Sequence, residues 1–218
     1  RTSTPVDQIV VEEGRATGVR TKGGRTLRAR KAVVSNADLH NTFGLVPRGA
    51  HAGFDDERDA LLAPAAPVYA DDVGPTDGTG APLCKSFMHM HLGVKASALP
   101  DDLPPQWTVV NDWNVPIDAP GNVVVVSVPS LLDPDLAPEG HHVIHAYCAG
   151  SEPFSVWEKF DSKEYRNDPE YLKLKEERAA PMWDAIKRRA PGVEAGVVVR
   201  QVGTPLTHAR FLRRHRGN

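Results

Sequence analysis

Residues 8–36 read QIVVEEGRATGVRTKGGRTLRARKAVVSN. Gln8-Ile9-Val10-Val11-Glu12 is a β-branched run, turned by Glu13-Gly14 into a return strand over 16–21 that Gly18 weakens. Lys22-Gly23-Gly24 is a second turn, because paired glycines reach positive φ without steric cost. Thr26-Leu27-Arg28-Ala29 alternates as a half-buried strand does, and Lys31-Ala32-Val33-Val34-Ser35 reads as a strand buried on both faces within a parallel sheet. Asn36-Ala37-Asp38 offers cap chemistry for a short helix over 39–45.

Working outward, residues 46–84 are broken by Pro47, Pro64, Pro67, Pro75 and Pro82 and read as loop, with 71–82 exposed. The centre is strand-rich. Residues 85–94 alternate, with Phe87, His89 and His91 on one face and Met88, Met90 and Leu92 on the other. Residues 107–111 and 122–128 are further strands. In 142–148, Val143, His145 and Tyr147 alternate with Ile144, Ala146 and Cys148. Strands joined by turns without helices between them predict an antiparallel sheet.

One strong helix follows, with Asp168 as N-cap, Pro169 at its first position and Lys187-Arg188-Arg189 at its end. Pro181 lies inside it and predicts a kink or a split. A strand over 196–202 precedes Thr204-Pro205 and a basic tail.

Composition excludes several classes. Lys plus Arg number 26 against 28 Asp plus Glu, a net charge of −2, which argues against a dedicated nucleic-acid binder. Gly (18) and Pro (19) make up about 17% of the chain, against roughly 12% in average usage, favouring turns and loops over a helical bundle. Two cysteines, Cys84 and Cys148, without a CxxC suggest reduced thiols. No apolar run is long enough to cross a membrane. The chain starts at Arg1 rather than Met and enters a strand almost at once, so it reads as a piece of something longer.

Chemical motifs are sparse. His89-x-His91 sets two imidazoles on one strand face, and His141, His142 or His145 could add a third. The spacing matches no metal signature, HExxH is absent, and no metal is expected. Lining a ligand groove beside Phe87 is a further reading for His89 and His91. GxSxG, GxGxxG and GxxxxGK[ST] are all absent, so nothing in the chain grips a dinucleotide pyrophosphate.

An ordered set of segments carries a family likeness: GRATGVRT at 14–21, RARKAVVSNA at 28–37, VVNDW at 109–113, LLDP at 131–134, APEG at 137–140, HVIHAY at 142–147 and VGTPLTH at 202–208. YLKLKEER at 171–178 adds to it less diagnostically. Together they resemble the carotenoid isomerase (prolycopene isomerase) branch of the phytoene-desaturase-like FAD-dependent oxidoreductases, as an internal fragment.

The resemblance implies a mixed α/β (α+β) fold: part of a Rossmann-type FAD domain over 1–45, a substrate domain with a largely antiparallel sheet over 46–205, and the start of a return into the FAD domain over 206–218. It implies cis–trans isomerisation of prolycopene to all-trans-lycopene in the full-length protein, with reduced FAD lending electron density to the polyene. A long polyene partner, a peripheral membrane surface and a plastid (chloroplast) or cyanobacterial location follow from it as well. Carried onto this chain, Val6 is the position whose backbone meets the adenine ring. Ser35 and Asn36 end the strand beside the flavin, and Phe87, His89 and His91 are candidate groove-lining residues. No catalytic acid or base is named. An FAD-dependent carotenoid or retinoid desaturase or saturase, and a non-enzymatic β-rich binding domain, stand as alternatives. The fragment alone is expected neither to hold FAD nor to turn over.

Overall fold

The computed structural model describes residues 2–63, 85–161 and 165–217. The loop expected at 71–82 and Cys84 lie outside them. The chain divides into two units, Arg1–Leu83 with Arg213–His215, and Cys84–Leu212 with Arg216–Asn218.

The first unit holds the meander: β1 (Val6–Glu12), β2 (Arg15–Thr21) and β3 (Thr26–Arg28) in that order, all antiparallel. Glu13 and Gly14 both take positive φ, +50° and +72°, as a two-residue hairpin turn with the sheet's own twist requires. Gly18 is a close-approach glycine, because a β-carbon there would run into the backbone of Leu27 and Arg28.

Two helices follow, α1 (Leu39–Leu45) and α2 (Ala52–Leu62). Asp38 caps α1, its carboxylate accepting the Asn41 N–H at 2.8 Å and the His215 N–H at 2.9 Å. α2 occupies part of the stretch read as loop. Its inward residue is Arg58, 5% exposed, which donates to the carbonyls of Phe43 and Val46 at 3.0 Å each. A helix whose buried residue is an arginine shows no apolar stripe, which is why periodicity missed it.

Residues 31–35 do not form the buried strand that their composition suggests. They take no regular secondary structure and pair with no strand among the described residues, and Val34 is 90% exposed. Ala-Val-Val requires a neighbouring strand on each side to become a sheet centre, and no strand among the described residues pairs with it.

The second unit is a five-stranded sheet, all antiparallel, built from β4 (Ser86–Lys95), β5 (Gln106–Val110), β6 (Val123–Ser127), β7 (His141–Glu152) and β8 (Val197–Gly203). Its order is β5-β6-β7-β4-β8. The mixed α/β class with antiparallel sheets stands. One face is the core: Met88, Met90, Leu92 and Val94 of β4, Ile144, Ala146 and Cys148 of β7, and Val124 and Val126 of β6. The helix α3 (Pro169–Arg189) covers it with Ala179, Met182, Ala185 and Ile186. Each fully buried aliphatic or methionine side chain contributes about 2 kcal/mol.

α3 is capped by Asp168, whose Oδ1 accepts the N–H groups of Glu170 and Tyr171 at 2.8 and 3.1 Å. It runs on through Pro181 for 21 residues without splitting. The carbonyl deprived of its donor belongs to Glu177, an exposed position open to solvent, and the Pro181 ring packs on Gly121. A short turn of helix, α4 (Val193–Gly196), leads into β8, and α5 (Pro205–Phe211) follows it. Thr207 Oγ1 accepts the Thr204 N–H at 3.1 Å at the start of α5.

Candidate functional site

With one face of the five-stranded sheet sealed by α3, the alternate residues of β4 and β7 stand on the other. Phe87 and His89 are half-buried there, as are their neighbours His145 and Tyr147, and His91 is exposed. Register pairs His91 with His145 and His89 with Tyr147. The rings form a continuous layer. His91 and His145 stack at 4.4 Å between centroids and 3° between planes, His89 and His145 at 5.1 Å and 7°, and Phe87 and His89 at 5.7 Å and 18°. His208 of α5 joins from the β8 side, 4.9 Å from His89. Gly203 opposes His89 in β8, so no β8 side chain competes for that position.

His89 Nδ1 and His145 Nε2 are 2.8 Å apart, a distance that requires a proton between them. Burial lowers the basicity of all three strand histidines. His89 falls to about 3 through burial first, then through the neighbouring imidazoles His208, His145 and His91. His91 and His145 are lowered chiefly by burial. The three strand histidines are therefore uncharged at neutral pH and, with Phe87 and Tyr147, make a flat, weakly polar platform on which a conjugated molecule can lie.

The sequence placed Phe87, His89 and His91 on one face, and the structure joins them to His145, Tyr147 and His208. The alternation in 142–148 already put His145 and Tyr147 together. What it lacked was the pairing of β4 with β7, a long-range fact that no local pattern contains. The structure also brings Ser130 Oγ within 2.9 Å of His142 Nδ1. That hydroxyl is buried and accepts the Val143 N–H at 3.0 Å, so the pair fastens the β6–β7 connection rather than offering a nucleophile.

The remaining sequence-derived residues lie in the first unit. Ser35 is on the wall of a cleft of about 540 Å³ with Ile9, Val11, Val33, Thr42 and Phe54, and its hydroxyl shares a hydrogen bond with Thr42 at 2.7 Å. Val6 pairs with Thr21 at the start of β1, and Asn36 is exposed. None of these three residues stands at an open helix start among the described residues. A pyrophosphate needs open N–H groups at a helix start. Here α1 is closed by the Asp38 carboxylate, and α2 by His51, whose Nδ1 accepts the Phe54 N–H at 3.1 Å.

Over 97% of its length the chain is 32% identical to the chloroplastic prolycopene isomerase of Arabidopsis thaliana, covering 31% of that protein. Along nearly its whole length the chain is similar to an internal segment of the prolycopene isomerases. It spans about a third of the length of the curated relatives it matches. A 43-residue stretch, 20% of this chain, is 56% identical to 8% of the neurosporene-forming phytoene desaturase of Cereibacter sphaeroides. Among solved structures, reduced UDP-galactopyranose mutase is similar at a TM-score of 0.50 and 13% identity, over 91% of this chain and 34% of that one, a likeness of fold alone. No protein-family model matches. In this chain the five-stranded sheet and its ring-lined face come from the residues from β4 onward.

Proposed function

We propose that the protein carrying this segment isomerises a long polyene from cis to trans, prolycopene to all-trans-lycopene, with reduced FAD as cofactor and no net redox change. The observation that carries the reading is the likeness to prolycopene isomerases along nearly the whole chain. The open face of the five-stranded sheet supports it. Phe87, Tyr147 and the strand imidazoles His89, His91 and His145, neutral while no ion is bound to them, supply a broad, flat surface that suits a hydrocarbon with an extended π system. In this reading Phe87, His89 and His91 hold the polyene flat and exclude water. The flavin's phosphates are gripped by parts of the relatives' length that this chain does not span, while Val6, Ser35 and Asn36 contribute only to the cofactor's surroundings.

A C40 hydrocarbon reaches its enzyme through a membrane, so peripheral attachment belongs to the same proposal. No helix among the described residues is long and apolar enough to cross one. The curated relatives are named chloroplastic, which supports a plastid location; a cyanobacterial membrane is the other placement carried by the proposal.

The test is product analysis in bacteria that accumulate prolycopene and express the full-length protein. All-trans-lycopene with an unchanged hydrogen count is the expected result. A product with altered hydrogen count would move the assignment to a desaturase or saturase, the reading favoured by the short desaturase match. Unconverted prolycopene bound to the protein would favour a binding domain.

A further inference from the structure

We infer that His89, His91 and His145 form a binding site for one divalent transition-metal ion, zinc foremost, on the open face of the five-stranded sheet. One ring nitrogen from each residue lies within 4.8 Å of the other two. The backbone sets this proximity. His89 and His91 are two apart on β4 and share a face, and His145 sits directly opposite His91 on β7. Two strands paired along most of their length thus hold three imidazoles with little freedom left to lose on binding.

The donor set selects the ion. Three imidazoles with no carboxylate among them suit zinc, copper, nickel or cobalt and not magnesium or calcium, which take oxygen ligands. Three protein ligands also leave one tetrahedral position open to water or another ligand, unlike a closed four-ligand structural site.

The rings start close to the required arrangement without being in it. Their planes are within 7° of parallel, and His89 Nδ1 stands 2.8 Å from His145 Nε2. Bonds of ~2.0 Å around a tetrahedral zinc place ligand nitrogens ~3.3 Å apart, so the pair must open slightly and the planes must turn. Rotation about the ring torsion of histidine is soft, and the ion takes the place of the proton now shared by the two nitrogens. His91 is the outer residue of the three, giving the ion a path in from solvent.

The experiment reads metal binding and not turnover, so its outcome is independent of the isomerase proposal. The purified protein is stripped with a chelator, then titrated with Co²⁺ by visible absorption and with Zn²⁺ by calorimetry. One equivalent of saturable binding is expected, with the d–d bands of four-coordinate cobalt that zinc abolishes. His145→Ala should weaken binding at least tenfold, and His91→Ala, at the more exposed position, should do the same if the first variant fails to fold. His141→Ala, at the end of β7, should leave affinity unchanged. Absence of one-equivalent binding, or equal affinity in the wild type and the folded His91→Ala variant, would overturn the inference.

Discussion

Glu152 accepts the indole N–H of Trp157 at 2.8 Å while both residues are almost completely buried, 2% and 0% exposed. The Arg178 guanidinium stands 3.5 Å from the same carboxylate oxygen. A carboxylate at the end of β7 thus anchors the largest core side chain and gives a half-buried arginine its counter-charge. Glu152→Ala leaves an indole N–H and a guanidinium without their acceptor, and should cost about 2–4 kcal/mol in urea unfolding.

The same carboxyl predicts a pH dependence. Burial pushes its pKa above the ordinary glutamate value, partly offset by Arg178 and the Trp157 hydrogen bond. With the folded value above the unfolded one, the folded state holds the proton more tightly. Glu152 therefore favours folding fully at pH below the unfolded value of ~4.5, and that contribution is lost as pH rises through the folded value. Glu152→Gln keeps the indole's acceptor and cannot ionise. Unfolding at pH 4 and pH 7 should show the Gln variant gaining on the wild type at the higher pH; an unchanged or reversed difference would contradict this.

Gly121 and Pro181 meet where the β5–β6 connection crosses α3. Gly121 has φ +72°, and a β-carbon there would lie 2.9 Å from Pro181 Cγ. Gly121→Ala meets both a strained backbone and a collision with a ring fixed in a helix, and should cost about 1–3 kcal/mol. Gly24→Ala, at φ +78° but with open space around it, separates the two causes: it should cost only the backbone share, about 1 kcal/mol. Equal losses for the two variants would remove the Pro181 contact from the explanation.

The sequence carried most of the local structure. Asp168 and Pro169 marked the start of α3, Asp38 capped α1, and the alternation of Met88, Met90 and Leu92 against Phe87, His89 and His91 gave β4 its buried and open faces. What stayed hidden depends on distant partners. The strand-like run at 31–35 needs neighbouring strands, α2 buries an arginine against carbonyls of another helix, and Pro181 is tolerated because a glycine sixty positions earlier makes room for it. The site divides in the same way. Half of the ring layer was visible in one strand, and the other half required knowing which strand pairs with it.

If the ring layer receives the polyene, trimming it should impair catalysis and leave the fold intact. Phe87 and Tyr147 are half-buried on the open face and contribute little to the core behind the sheet. Phe87→Ala and Tyr147→Ala in the full-length protein should each lower kcat/KM about three- to tenfold, the worth of one aromatic contact, with the unfolding midpoint nearly unchanged. Met90→Ala, on the sealed face, should do the opposite: about 2–4 kcal/mol of stability lost through a core cavity. Full activity in both open-face variants would remove the platform from the proposal.

The cofactor gives a prediction for these 218 residues by themselves. Most of FAD's grip comes from backbone N–H groups around its pyrophosphate. No glycine-rich phosphate loop occurs in the sequence, and the starts of α1 and α2 are occupied by Asp38 and His51. At α1 the cap is a carboxylate whose pKa, raised by burial, is drawn below the usual value by the Asn41 and His215 N–H groups, so it is ionised at neutral pH and repels a phosphate. The polypeptide mixed with excess FAD and passed through gel filtration should elute colourless. Asp38→Asn should not change that, since removing the charge does not create a cradle. A yellow protein peak would mean that the cleft beside Ser35 grips the flavin without a pyrophosphate loop, and the division of labour proposed for the full-length enzyme would have to be redrawn.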